Sequence, residues 1–433
     1  MRKRVAEEAL IKISLGHESG VFAVSGFVEE AKSIDDCLDF AAHRLAFPWN
    51  TGSRRVKISD ALFARASEDI KAPEPYPPFT RSLRDGYAIR CSDTNGANAS
   101  SPAFLRIAGE VFMGECPAFD LSEGEAAYIP TGGMLPLGAD SVVMVENTAA
   151  SGGWVEIRSS VGRGENIIIE AEEIARGDTL LEKGALIGHS NVGLLAAFGI
   201  CEIDALDIKI GVISTGDEIA PVETSLLPIC FVRDANTDII RSALKRYGMP
   251  SKSYGIVPDE WNGLKSRVEE ASSECDAVLL SGGSSVGARD HTSRLMESFA
   301  EPGLLVRGIN MAPGKPTLIG GSAADEKLIV GLPGHPLSCL VATIFVVIPL
   351  LLAMSGSRAK SAGKYARLPL AEDALGRTGP DEFIPMSIRE NGALPLAAKS
   401  GYVSAMRDAD GFIRMRPDTE TLRRGETAEV WLW

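Results

Sequence analysis

Between Ile208 and Met354 the chain alternates strand-length apolar runs with helix-length segments, and this alternation restricts its fold more than any other feature. IKIGVIS (208–214) reads as a buried strand. A ThrGlyAspGlu loop and a helix over 237–247 follow, with Asn236 as N-cap and Gly248 as stop. SYGIV, DAVLLSGG, LLVRGIN and KLIVGLPG read as further strands. Residues 260–273 and 291–299 read as helices, and the apolar stretch Pro336–Met354 as a closing helix. Such alternation builds an open α/β sheet covered by helices, in which ligands bind outside the carboxyl ends of the strands.

The flanks are patterned differently. Ile34, Cys37, Leu38, Phe40, Ala41 and Leu45 recur at helical spacing, and residues 34–70 are read with them as helical. Four prolines within 72–78 exclude a helix there, because proline lacks an N–H and restrains its predecessor. Short β-like runs with glycine turns fill 86–160, a second helix is expected over 191–198, and short runs without helices fill 355–433. The expected organisation is an N-terminal extension over 1–30 and a mixed α/β linker domain from 31–70 plus 165–206. A small inserted β domain over 71–164, the α/β domain over 207–354 and a C-terminal β domain over 355–433 complete it. A chain of 433 residues exceeds one compact core.

With 44 Lys and Arg against 58 Asp and Glu, the formal charge is -14, so the cationic footprint that nucleic acid requires is missing. One anionic ligand remains compatible, since a few N–H groups and a lysine suffice for it. Seven cysteines, an odd number with no C-x-x-C pair, give neither a disulfide framework nor a zinc site and point to a reducing cytoplasm. The segment after Met1 lacks the apolar run of a signal peptide. Leu340–Met354 is shorter than the roughly 20 residues of a membrane span and reads as a core helix.

Four glycine-bearing loops follow expected strands: 214–218, 281–287, 312–316 and 331–336. Glycine lets backbone approach a ligand closely, and successive N–H groups form a concavity for anions. Ser281, Ser284, Ser285 and Ser338 add hydroxyls, Lys315 adds a cation, and Asp217, Glu218 and Asp290 add hard oxygens suited to Mg²⁺. Pro316 after Lys315 rules out the P-loop spacing, and no G-x-G-x-x-G occurs, which disfavours P-loop hydrolysis and dinucleotide redox chemistry.

SerLeuArgAspGlyTyrAla (82–88), ProThrGlyGlyMetLeuProLeuGlyAlaAspSerValValMetValGlu (130–146), SerThrGlyAspGluIle (214–219), GlyGlySerSerValGlyAlaArgAsp (282–290), ProGlyLysPro (313–316) and GlyLeuProGly (331–334) occur in this order. Together they resemble the molybdopterin molybdenumtransferases, or molybdenum insertases, a family that includes the C-terminal part of gephyrin. The resemblance implies four domains, an elongated cytoplasmic homodimer and a reaction in which adenylylated molybdopterin meets molybdate. The metal enters the dithiolene, AMP leaves, and Mg²⁺ assists. It implies a cleft shared between subunits, with Asp85 and Thr131 from the small β domain and Glu218, Asp290 and Lys315 from the α/β domain as catalytic residues. Glu218 and Asp290 would hold the metal. Thr215, Gly216, Asp217, Gly282, Gly283, Ser284, Ser285, Gly287, Pro313, Gly314, Gly334 and Ser338 would surround the cofactor. An upstream adenylyltransferase and apo-molybdoenzymes are the implied further partners, with no nucleic acid and no membrane.

The chain also departs from the family's pattern. Arg84 replaces the usual Met before AspGlyTyr, Ala312 stands where a second lysine is common, and His335 fills the position of an asparagine. In the G-x-N-x-R-x-x-G-E-D segment the arginine is Ile168 and the last three residues are AlaGluGlu. Arg84 could supply the charge that Ala312 lacks. These departures leave an alternative open: a diverged pterin-binding or cofactor-delivery protein with weak or no insertase activity.

Overall fold

A computed structural model describes residues 32–282, 286–357 and 365–433, with the side chains of 286–290 excluded. The expected N-terminal extension therefore falls outside the described residues. Two compact units are present. The larger comprises residues up to Glu68, Glu182–Gly193 and Cys201–Trp433, and the smaller Asp69–Leu181 and Leu194–Ile200.

The larger unit is organised by the expected α/β sheet. Its strands are β1 (Ile210–Thr215), β2 (Lys252–Val257), β3 (Ala277–Gly282), β4 (Pro302–Arg307), β5 (Leu318–Ser322) and β6 (Lys327–Leu332), in the order β2-β1-β3-β6-β5-β4. β2, β1, β3 and β6 are parallel, and β5 and β4 complete the sheet antiparallel. Strand β5 was not among the expected strands, and its ladder with β6 is continuous from Leu318 to Ser322.

Each strand turns alternate residues to opposite faces. Ile210, Val212, Ala277 and Leu279 join a core with helix α1 (Asn236–Arg246) and the apolar helix Pro336–Met354. Ile213, Val278 and Leu280 join another with α2 (Trp261–Glu274) and α3 (Val286–Glu297). Helix α3 starts five residues before the expected 291, so the glycine-rich loop is shorter than its composition implied. The helix Pro336–Met354 is largely buried, as a core helix. It widens to a π turn over Thr343–Val347, just before Pro349, which has no N–H to continue the regular ladder.

The helix expected over 34–70 ends at Arg44. Beyond Pro48, Gly52–Lys57 pairs antiparallel with Glu202–Asp207. That partner lies 150 residues away in sequence, and tertiary pairing overrides local propensity here. Arg65 is buried and donates to the carbonyls of Tyr247 (2.7 Å) and Gly184 (2.7 Å), with its pKa lowered by burial to about 10. It joins three chain segments far apart in sequence.

The C-terminal β domain, within the larger unit, is a sheet of Tyr365–Pro369, Asp381–Arg389, Gly392–Pro395, Gly411–Met415 and Thr427–Leu432. Met311–Ala312 adds to its edge by pairing with Asp381–Glu382. Phe345 of the apolar helix stacks on Phe383 at 4.0 Å and meets Phe412 and Trp431 edge-on. The smaller unit holds a six-stranded sheet over 86–157, with the extra pairs Arg81–Ser82 to Ile167–Ile168 and Ile70–Lys71 to Thr179–Leu181.

Candidate functional site

After β1 the chain passes to α1 on one face of the sheet, and after β3 it passes to α3 on the other. The carboxyl ends of these neighbouring strands therefore flank the topological switch point, where the geometry of an open sheet leaves a crevice. Thr215 ends β1 and lies in register beside Gly282, which ends β3. A Cβ on Gly282 would sit 1.8 Å from the Thr215 carbonyl oxygen, and its φ of +126° favours glycine, so only glycine closes the sheet here.

Thr215 is buried, and its hydroxyl donates to the Asp259 carboxylate. The Asp259 N–H donates to Asp217 Oδ1 at 3.1 Å, which ties the loop after β1 to the loop after β2. Gly216 is held by its N–H on the Val257 carbonyl at 3.2 Å. Glu218 is exposed, and its side chain has no hydrogen-bond partner among the described residues. Asp290 and Gly287 fall on α3, with the Asp290 side chain outside the described residues, as are Gly283, Ser284 and Ser285. No group of three or more His, Cys, Asp or Glu is arranged for a metal among the described residues.

A cavity of about 500 Å³ lies beside this crevice, within the usual range for small-molecule sites. It gathers Gly282, Pro313, Gly314, Lys315, Gly334 and Ser338 from the sequence-predicted set, whereas Thr215, Gly216, Asp217 and Glu218 do not line it. The loop carrying Lys315 is set from both ends. Ile309 N–H donates to the Lys315 carbonyl at 2.9 Å, and Thr317 donates its N–H (3.1 Å) and hydroxyl (2.7 Å) to Gly314 O. The Lys315 ammonium has no carboxylate partner among the described residues.

The apolar helix begins at this cavity, with Pro336 as its first residue, so unpaired N–H groups of its first turn add partial positive charge. Ser338 is 4% exposed on that first turn. Beside it, burial pushes the Cys339 thiol up to about 12, so it sits there as a neutral thiol.

Several residues of the site were not legible in the sequence. Arg377 and Ser400 line the cavity from the C-terminal β domain. Gly376, Gly379 and Gly401 flank them but follow none of the strands expected in the α/β domain, and the two residues are brought there by the pairing of Met311–Ala312 with Asp381–Glu382 together with the packing of Phe345 on Phe383. Ser400 Oγ lies 3.2 Å from His335 Nδ1, so the histidine in the asparagine position contacts the C-terminal domain. Asn236 was expected as an N-cap. Instead, Asp234 accepts the Thr237 N–H (3.1 Å) and hydroxyl (2.7 Å), while Asn236 Nδ2 donates to Gly334 O at 2.8 Å. The helix start is thus bonded to the GlyLeuProGly loop. Asp259 could have been found by the strand-end rule already applied to the other loops.

In the smaller unit, Asp85 and Thr131 come together as expected. Asp85 Oδ1 accepts the Thr131 N–H at 2.7 Å and the Thr131 hydroxyl at 3.0 Å. These two bonds, the backbone one foremost, hold the exposed carboxyl below the usual aspartate range. Asp85 is therefore a fixed, ionised acceptor beside an exposed turn.

Residues 28–199 match the MoeA N-terminal region (domain I and II), 211–353 a probable molybdopterin binding domain, and 367–433 the MoeA C-terminal region (domain IV). A protein of Methanocaldococcus jannaschii named for molybdopterin biosynthesis is 30% identical over 390 residues, covering 88% of this chain and 93% of the relative. The chain belongs to the MoeA family. A molybdopterin molybdenumtransferase of Haemophilus influenzae is 31% identical over 328 residues, 75% of this chain and 78% of that protein. Two crystal structures of MoeA proteins from Pyrococcus horikoshii superpose with TM-scores of 0.71 and 0.78, at 35% and 25% identity. They cover 93% of this chain and 99% and 100% of theirs. The four-domain α/β and β architecture expected from the motifs is the architecture of this family.

Proposed function

We propose that this chain is a molybdopterin molybdenumtransferase that inserts molybdate into adenylylated molybdopterin with release of AMP. The observation that carries the reading is the cavity built from strand-end loops around Lys315, Arg377 and the helix N-terminus at Ser338, in a chain of net charge -14. Cations and oriented N–H groups collected there in an acidic protein favour a tetrahedral oxyanion. The adjoining crevice at Thr215 and Gly282 lets the backbone approach a phosphate closely.

In this reading Lys315 and Arg377 hold molybdate while Ser338 donates to one of its oxygens. The two sulfurs of the dithiol then displace one oxygen of molybdate, which leaves as water with the two thiol protons. Another water adds to the phosphoanhydride, so that AMP leaves and the pterin keeps its own phosphate. Glu218 is the carboxylate left on the α/β domain to orient water and donors at the phosphates, and Asp85, fixed by Thr131, would be offered by the small β domain of a second subunit.

Magnesium commonly binds one or two carboxylates together with substrate phosphates, and the exposed Glu218, unpaired among the described residues, fits that pattern. With Asp290 it would hold the ion, which when bound supplies charge neutralisation at the phosphoanhydride. The reading further includes a reducing cytoplasm, with which seven free cysteines agree, a homodimer, and the domain boundaries expected from sequence. An adenylyltransferase upstream and apo-molybdoenzymes downstream follow from the same reaction.

The test is chromatographic assay of AMP after mixing the purified chain with adenylylated molybdopterin. AMP release dependent on both molybdate and Mg²⁺ is expected. Pterin binding with no molybdate-dependent AMP release would instead identify a binding or delivery protein.

A further inference from the structure

His335 stands where the family's pattern has an asparagine, and it lines the cavity of Lys315. Among the described residues the charged groups on that wall are Lys315 and Arg377, with no Asp or Glu beside them. Arg377 is partly engaged already, its Nε 3.8 Å from Glu382 Oε1. Ala312 leaves out the second lysine common in the family. A tetrahedral dianion in this cavity therefore meets one unshared cation and one shared one.

The backbone on both sides of His335 is fixed. Gly334 O accepts from Asn236 Nδ2 at 2.8 Å, and His335 O accepts the Cys339 N–H at 2.9 Å. The ring lies against Gly401, where a Cβ would stand 3.6 Å from Cδ2 and 3.8 Å from Nε2. Its Nδ1 is 3.2 Å from Ser400 Oγ, and the residue is exposed, so protons reach it from water.

The contact with Ser400 couples the ring to the cavity. A hydroxyl has one proton to give, and an imidazole nitrogen accepts it only while carrying none itself. When Nδ1 accepts, the Ser400 proton is spent within the protein. When the ring is protonated, Nδ1 donates, Ser400 Oγ becomes the acceptor, and its proton is free for the cavity. One proton thus adds a positive charge and a hydrogen-bond donor to the same wall. An asparagine at 335 provides neither change, because its amide does not titrate.

We propose that His335 takes up one proton from solvent as an oxyanion binds, and that Ser400 then donates its hydroxyl proton to the ligand. The inference rests on the molybdate reading above and adds the residue that links binding to pH. Around the ring stand the cations Lys315 and Arg377, the neutral Cys339 thiol and the N–H groups of the helix beginning at Pro336. Lys399, next to Ser400 in the chain, rests its ammonium over the Tyr402 ring at 5.9 Å. The carboxylates on neighbouring elements are taken: Glu382 by Arg377, and Asp234 by the Thr237 N–H and hydroxyl. The counter-charge for a protonated His335 is therefore the bound dianion.

The test is isothermal titration calorimetry of the full chain with sodium molybdate, in pairs of buffers that differ in ionisation heat, between about pH 6.5 and 8.5, above the ordinary histidine range. The wild type should take up close to one proton per molybdate at the alkaline end. Its affinity should fall several-fold, and at most about tenfold, for each unit of pH. His335→Asn should bind with no proton uptake and a flat pH profile. Ser400→Ala should keep the uptake, bind more weakly than the wild type at the acidic end and converge on it at the alkaline end. Binding by the wild type without proton uptake, uptake that persists in His335→Asn, or a Ser400→Ala loss equal at both ends would each overturn the inference. Absence of molybdate binding at every pH would overturn it too, and molybdate-dependent AMP release by the wild type, measured in parallel, separates such a failure from failure of the insertase reading.

Discussion

Lys315 presents an ammonium that no described carboxylate neutralises, on a loop fixed through the Lys315, Gly314 and Thr317 hydrogen bonds. A hydrogen bond to a charged group contributes about 1.5–3 kcal/mol net, so Lys315→Ala should weaken molybdate binding by roughly one to two orders of magnitude. Isothermal titration calorimetry would check this, and a change under about 0.5 kcal/mol would mark Lys315 as a solvated surface residue. Asp85 gives a prediction with a sign. Its folded pKa lies below the usual aspartate value of about 3.9, so its bonds to Thr131 stabilise the fold above that value. That stabilisation fades as pH falls through the lower, folded pKa. Thr131→Val removes the hydroxyl donor and keeps the backbone one, so the Asp85 carboxyl should titrate higher while remaining below the free value. Carboxyl NMR shifts against pH report it, and an unmoved midpoint would contradict the assignment.

At the scale of elements, the crevice depends on how closely β1 and β3 approach at their carboxyl ends. Gly282→Ala would press a methyl group against the Thr215 carbonyl, which belongs to the neighbouring strand β1 and is held in register with β3. Overpacking of this kind costs about 1–3 kcal/mol. The urea midpoint should fall accordingly, with the secondary-structure signal retained, and an unchanged midpoint would show that the strands can separate freely. Helix Pro336–Met354 has two functions in the same fold. Its side chains fill the core between the sheet and the C-terminal domain, and its first turn forms part of the anion cavity.

For the whole molecule, a net charge of -14 with Lys315 and Arg377 gathered on one cavity wall suits an anionic substrate bound at that one place. The MoeA reading expects a homodimer, and light scattering at micromolar concentration should give twice the 46.0 kDa of one chain. Monomer alone would count against the cleft shared between subunits. The larger unit is itself a composite. A segment near residue 52 pairs with one near 207, and residue 312 pairs with 382, so its integrity depends on contacts far apart in sequence.

Periodicity and turn chemistry are local properties, and they sufficed for the α/β alternation, the core helix and the glycine loops that mark the carboxyl ends of β1, β3 and β6. The ordered motifs sufficed for the family. The pairing of Asp85 with Thr131 was legible only through that resemblance, since 46 residues separate them. What the amino-acid order could not express was which distant segments would pair. The strand Gly52–Lys57 looked helical because its partner at 202–207 was unknown, and Arg377 and Ser400 looked like ordinary residues of a β domain. Their place at the cavity follows from the short parallel pairing of Met311–Ala312 with Asp381–Glu382 and from the packing of Phe345 against Phe383, Phe412 and Trp431. Side-chain chemistry is set residue by residue, but a site requires several residues within a few ångströms, and only the folded chain determines which of them meet.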